Sequence, residues 1–366
     1  MEASSRIVNV EYALLGQELE IAEKVHVEIS DGIISHVGKG WDVKGETYPN
    51  SLLMPGLVNS HVHTFDAIAP EFGWNLTLKE AVGDPHSEKY RVLVSMSLSE
   101  LKKSTLNFLE KSLKLGVFTV VDFKEMDLKG ATISREVKDQ SPINYIPLGR
   151  LDGEVTRERL ELLKKFVDGY GVSSVSVGVE KLSLIRDVFR DRITAIHVSE
   201  TLRHNLLSDL EVALSTLEPE ILVHGTHLTE EEIILVAEKG MKLVVCPRSN
   251  LWFSAGIPNI PMMIKRGVRL LLGTDNAGVT DPDLWKEMEV ALLLSRLRDP
   301  GSDFSREILK SVTVNPELGV YPIQEGNRIT GLILGPVPRF ETSINKYMAL
   351  IKEPGKIIKV LGLPRT

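Results

Sequence analysis

EILVHGTHLTEEEIILVAEKGMKLVVCPRSN, residues 220 to 250, holds two short apolar runs, ILV and KLVV, on either side of one segment of helical period. The middle carries its own punctuation. Thr229 stands where an N-cap hydroxyl accepts from the first turn, and Gly240 stands where a helix closes in a left-handed residue. Strand, helix and strand in that order make a βαβ unit with parallel pairing. The unit recurs along the chain. Apolar runs occur at 56–63 (GLVNSHVH), 116–123 (GVFTVVDF), 144–151 (NYIPLGRL), 174–179 (SVSVGV), 193–200 (ITAIHVSE), 220–227, 242–250 and 269–277 (RLLLGTDNA). Helical segments separate them, among them SLSELKKSTLNFLEKSLKLG, which ends at Gly116.

Eight strand and helix pairs are expected to form an α/β fold, a closed parallel (β/α)8 barrel of the TIM type; an open doubly wound sheet has the same alternation. Polar residues decide between the two. They gather at the carboxyl ends of the first, fifth, sixth, seventh and eighth runs, and only a closed barrel brings those ends round one cavity. Outside the barrel the texture changes. Residues 6–54 alternate polar and apolar, with Asp31-Gly32 between two such runs as a hairpin signal, and the tail returns to short runs such as TGLILG and KIIKVLG. The expected organisation is a small β-sandwich domain formed by both chain termini, residues 1–54 plus 326–366, beside a barrel over 55–325. Residues 64–90 make a connection long enough to be a lid or binding loop.

Composition narrows the function. The chain has 366 residues, 43% hydrophobic and 25% charged, with a formal net charge of −7. No basic field is available for a phosphate backbone, so nucleic acid is an unsuited partner and a small-molecule substrate is expected. The opening MEASSRIVNVEY lacks the pattern of a secretory signal, and no apolar stretch reaches membrane-spanning length, so no membrane partner and a cytoplasmic location are expected, with a homo-oligomer left open. Cys246 is the single cysteine. A metal site in this chain must therefore be built from histidines and carboxylates.

Those residue types stand at the strand ends. In His61-Val62-His63 the period-2 alternation of a strand sends both imidazoles to one side, where two nitrogens can chelate one ion. His197 ends AIHVSE, His224 follows ILV, and Asp275 ends LLLGTD. A polar group that terminates a buried strand needs a partner or a metal. Each has an ordinary alternative: a strand-terminal histidine bonded to a neighbouring loop, or an aspartate that caps a turn. Three imidazoles and one carboxylate together suit one divalent ion, Zn²⁺ first and Fe²⁺ second. Arg248, Ser249 and Asn250 after the seventh run and Trp74 in the long connection are candidates for substrate binding. His227 reads as a loop histidine or as a support for the site.

PGLVNSHVHT, HVSET, LVHGTHLTEEEI, VVCPRSN and GTDNAG, in that order and spacing, resemble the amidohydrolase superfamily, in particular its cytosine-deaminase and chlorohydrolase-like branch. The resemblance covers residues from about 52 to 280. It implies metal ligands at His61, His63, His197 and Asp275, and catalytic roles for Glu200, His224 and Asp275. Glu200 would shuttle protons, although a carboxylate at that place also suits a helix N-terminus. The implied activity is a deaminase that releases ammonia from a cyclic amidine-like carbon of a nucleobase or related heterocycle. A binuclear cyclic-amide hydrolase of the dihydroorotase or hydantoinase kind is the alternative, and it requires Lys181 or Glu180 as a bridge. A non-catalytic binding protein of the same fold is the second. The tail departs from the family in lacking its usual Gly-x-x-Ala-Asp run.

Overall fold

A computed structural model describes residues 5–83, 86–337 and 339–363. Four strands come first: β1 (Ser5–Leu15), β2 (Glu20–Ser30), β3 (Ile33–Lys39) and β4 (Glu46–Pro55). The barrel strands follow: β5 (Leu57–His63), β6 (Val117–Lys124), β7 (Asn144–Gly149), β8 (Gly169–Val172), β9 (Ile193–Val198), β10 (Ile221–His224), β11 (Lys242–Val245) and β12 (Arg269–Leu272). A two-residue continuation of the eighth barrel strand, β13 (Asp275–Asn276), precedes β14 (Gly331–Gly335) and β15 (Lys356–Leu361).

β5 to β12 pair in parallel, each with the next, and β13 pairs back onto β5 through Asp275 with Val62 and Asn276 with His63. That last pairing closes the TIM-type barrel. Its seam is held by side chains as well. Asn59 donates to Thr274 Oγ1 at 2.8 Å and accepts from the Thr274 N–H at 3.0 Å. Gly273 makes the approach possible, because a Cβ there would lie 2.7 Å from the His61 carbonyl oxygen.

The terminal strands form a separate six-stranded sheet in the order β15-β14-β4-β1-β2-β3. Asp31 and Gly32, both at positive φ, make the tight turn between β2 and β3, as a type I′ hairpin requires. Val25, Val27 and Ile34 on one edge share a core with Leu53, Ile333 and Leu361 on the other, so the sheet curls into a small sandwich. The segment before β14 ties the curl shut: Ile34 N–H donates to the Asn327 carbonyl and Ile329 N–H to that of Gly32. Among the described residues no helix is long and apolar enough to cross a membrane.

Two details depart from the expectations. The fourth barrel strand is Gly169–Val172, and 174–179 is instead a helical turn leading into a helix over Val179–Phe189. β-branched residues favoured the wrong segment, while the true strand carries two glycines that β-propensity penalises. Both are required by space: a Cβ on Gly169 would meet the Ile193 carbonyl at 2.1 Å, and one on Gly171 would meet the Phe123 ring at 2.6 Å. The described residues of 64–90, which leave out 84 and 85, are also more regular than expected, with a helical turn at Thr64–Ile68 and helices at Leu78–Val82 and Glu88–Ser95.

Candidate active site

The carboxyl ends of the barrel strands open into a cavity of about 1060 Å³, lined by His63, His197, Glu200, His224 and Asp275 among others. Three of the strand ends leave the barrel in a left-handed step at a residue other than glycine: Ser199 at φ 47°, His224 at φ 75° and Asp275 at φ 59°. Such positions cost roughly 1–3 kcal/mol each and persist where the surroundings hold them. Here all three stand at the rim where the polar side chains of the site converge.

His61 Nε2 lies 3.2 Å from Asp275 Oδ1, His63 Nε2 lies 3.5 Å from the same oxygen, and His197 Nε2 lies 3.3 Å from His61 Nε2. The far nitrogens decide what these near ones are. His197 Nδ1 donates to the Ser173 carbonyl at 3.2 Å, and His63 Nδ1 is 2.6 Å from Glu125 Oε1. Each imidazole is thereby fixed as the Nδ1–H tautomer, with an Nε2 lone pair aimed at the centre. Two lone pairs and a carboxylate oxygen converging in a buried place repel one another unless a cation sits among them. The donor set therefore indicates a metal ion.

Electrostatics agree with that arrangement. Burial drives the His61 imidazole down to about 3 and holds His197 well below the ordinary histidine value, so both are neutral and free to ligate at neutral pH. Burial alone would raise Asp275. The His61 hydrogen bond and the nearby imidazoles outweigh it and hold the carboxyl well below its usual range, so it is an anion. Its second oxygen, Oδ2, accepts from Ser249 Oγ at 2.6 Å. Phe123 stacks on His197 at 5.0 Å between ring centroids and meets His61 edge-on, which restricts both rotamers.

Glu200 stands on the turn beyond β9 and reaches the cavity wall, with Oε1 3.6 Å from His224 Nε2. His224 is buried, and its Nδ1 has no partner among the described residues. The other residues singled out from the sequence divide: Lys181 and His227 also line the cavity, while Trp74, Arg248 and Asn250 do not. Trp74 is 73% exposed, away from the cavity lining. The Arg248 guanidinium turns to Asp281 Oδ1 at 2.8 Å, and the Arg248 backbone N–H donates to Glu287 Oε1. Asn250 is buried and donates to Thr226 Oγ1 at 2.6 Å. These three do not reach the cavity, because two were spent on tying the helix after β11 to its neighbours and the third sits on an outer bend. Lys181 and Glu180 ride the helix after β8 rather than the strand's end, where Ser173 stands instead. His227 packs beneath the loops, with Nε2 2.6 Å from the Ala255 carbonyl.

Four contributors went unnoticed in the sequence: Glu125, Lys89, Asp66 and Phe123. A signal existed for Glu125. It follows the apolar run of β6 directly, the same place that His and Asp occupy on the other strands. Lys89 and Asp66 gave none, since nothing in a long connection tells which charge turns inward.

The amidohydrolase family model matches residues 52–318. A protein of Methanothermobacter thermautotrophicus, named provisionally as an aminohydrolase, is 34% identical over 303 residues, 77% of this chain and 78% of its own length. A 5-methylthioadenosine/S-adenosylhomocysteine deaminase of Pyrococcus furiosus is 25% identical over 344 residues, 83% of this chain and 79% of that one. Among solved structures, an adenosine deaminase from Xanthomonas campestris with bound zinc superposes with a TM-score of 0.70 at 18% identity, covering 98% of this chain and 91% of the other.

Proposed function

Because this chain belongs to the amidohydrolase family, we propose that it is a metal-dependent aminohydrolase that releases ammonia from a cyclic amidine-like carbon of a heterocycle. His61, His63, His197 and Asp275 are the proposed ligands of one zinc ion. Three imidazole nitrogens and a carboxylate suit zinc or ferrous iron, and two of the three, His63 and His197, have an Nδ1 partner that turns Nε2 inward, while His61 Nδ1 has none among the described residues. One ion is favoured over two because β8 ends at Val172, with Ser173 next, so neither a lysine nor a carboxylate stands at that strand end to bridge a pair, and Lys181 meets the cavity only from the helix that follows.

A divalent ion held there supplies Lewis acidity, which lowers the pKa of a water to about 7. Asp275 is the base for that water: Oδ1 faces the centre while Ser249 pins Oδ2, so the carboxylate cannot rotate away. The water oxygen adds to the sp² carbon. Glu200, starting protonated, gives its proton to the adjacent ring nitrogen, then as a carboxylate moves the proton of the new hydroxyl to the exocyclic amine as the carbonyl forms, the carbon–nitrogen bond breaks and ammonia leaves; the proton first taken by Asp275 returns to Glu200 and restores both groups. His224 donates a hydrogen bond to the oxygen on which negative charge develops. The cavity of about 1060 Å³ is far larger than a bare base needs, which supports a heterocycle carrying a substituent; adenine nucleosides and their thioethers come first because the Pyrococcus relative is named for them.

The observation that carries this reading is the convergence of two lone-pair imidazole nitrogens and one aspartate oxygen beside Glu200. Its test is ammonia release by zinc-loaded and metal-free protein across adenine nucleosides, guanine, cytosine, pterins and triazines. Release that needs the metal, from at least one of them, is expected. Silence on all of them while cyclic amides are opened would replace the proposal with the amide-hydrolase alternative.

A further inference from the structure

We propose that Lys89 is a positioning residue for the metal centre, acting on His63 through Glu125. The inference rests on the metal-site reading above. Lys89 belongs to the helix Glu88–Ser95, part of the connection that lines the cavity after β5. Its ammonium turns inward and is buried between two carboxylates, 2.6 Å from Glu125 Oε1 and 2.9 Å from Asp66 Oδ2. Glu125 Oε1 is thus shared, since His63 Nδ1 approaches the same oxygen at 2.6 Å.

One oxygen accepting from both a lysine and an imidazole has its direction fixed from two sides. The free oxygens strengthen the point. Asp66 Oδ1 and Glu125 Oε2 are buried and have no partner among the described residues, so nothing else holds either carboxylate in place. Lys124, the other buried ammonium nearby, is taken up by Asp122 at 2.7 Å and Thr64. Without Lys89 the two carboxylates face each other across a dry gap, and Glu125 is pushed off the line that keeps the His63 ring oriented. Partners behind a ligating histidine are worth about 10–100-fold in metal affinity or activity. Tyr90, the next residue, bonds to Arg150 across the cavity, so the seating of this connection and the orientation of His63 are linked.

The test is zinc affinity by competition with a chelator, together with the visible spectrum of the cobalt-loaded protein, so turnover is not needed. Lys89→Gln is expected to weaken zinc binding about 10-fold or more and to shift the cobalt bands. In a Glu125→Gln background the same change is expected to weaken it less than about threefold, because the route is already cut. Should Lys89→Gln not fold, judged by circular dichroism, Lys89→Gln with Asp66→Asn removes one charge of each sign and is expected to show the same loss. Native affinity in a folded Lys89 variant, or losses that multiply independently of Glu125, would overturn the inference while leaving the proposed function intact. Failure of the native protein to take up zinc would overturn both.

Discussion

Replacing Glu287 with glutamine should stabilise the protein more the higher the pH. Glu287 sits on the helix Leu284–Arg298 behind the site and is fully buried. Oε1 accepts from the Arg248 N–H at 2.8 Å, while Oε2 has no hydrogen-bond partner among the described residues, its nearest cation being Arg248 Nη1 at 3.8 Å. Burial pushes the carboxyl up from 4.5 to about 8. In the unfolded chain the group ionises near 4.5, whereas the folded chain keeps the proton until about 8. The folded state therefore binds more protons across that window, and stability falls as pH rises through it. At about 1.4 kcal/mol for each pH unit, the whole window is worth on the order of 3–5 kcal/mol. The substituted glutamine has no such proton to lose, and its amide oxygen can still accept from Arg248. Urea midpoints of both proteins between pH 4 and pH 9 are the assay. The curves should nearly coincide below the window, diverge through it in favour of the variant, and run parallel above it. Curves parallel throughout would refute the reasoning, since they would mean that the native carboxylate is compensated in the fold.

Glu200→Gln keeps the shape of the cavity wall but removes the proposed proton carrier; kcat should fall by about 10²- to 10⁴-fold with zinc content unchanged, and turnover near the native rate would exclude the role. Gly273→Ala places a methyl group 2.7 Å from the His61 carbonyl oxygen across the barrel seam, where neither backbone can yield. It should cost about 1–3 kcal/mol in denaturant stability and weaken zinc binding as His61 shifts, and a variant with the native midpoint would show that the seam is looser than described. Zinc should raise the melting temperature in proportion to the logarithm of its concentration, by an amount equal to about 2.7 kcal/mol at 100 times its Kd; calorimetry with and without chelator reads this, and a melting temperature indifferent to zinc would count against a site formed only in the folded state.

How far the sequence could be read differs from place to place, for physical reasons. Period-2 alternation in Leu57–His63 sends His61 and His63 to one side of β5, as expected of the His-x-His pattern, because backbone geometry alone dictates it. Thr229 and Gly240 mark the ends of one helix equally well, since capping is local chemistry. β8 was hidden because its reasons are not local. Gly169 and Gly171 are there to admit the Ile193 carbonyl and the Phe123 ring, and only the packed barrel reveals those neighbours. The same holds for the charges around the site. Lys89 reads as one more polar residue of a long connection until the fold lays it against Glu125 and Asp66. Arg248 and Asn250 come soon after a barrel strand, β11, as the candidate ligands stand at the ends of others, yet a helix beginning at Pro247 turns them away, to Asp281 and Thr226. Ser249 between them faces the other way and meets Asp275.

Elemental analysis of purified protein, dialysed against chelator and reloaded with zinc, tests the central claim most directly when done in parallel on His197→Ala. One zinc per native chain, lost from the folded His197→Ala variant, is the predicted result. A native chain that takes up no divalent ion, or a variant that retains the full complement, would contradict it.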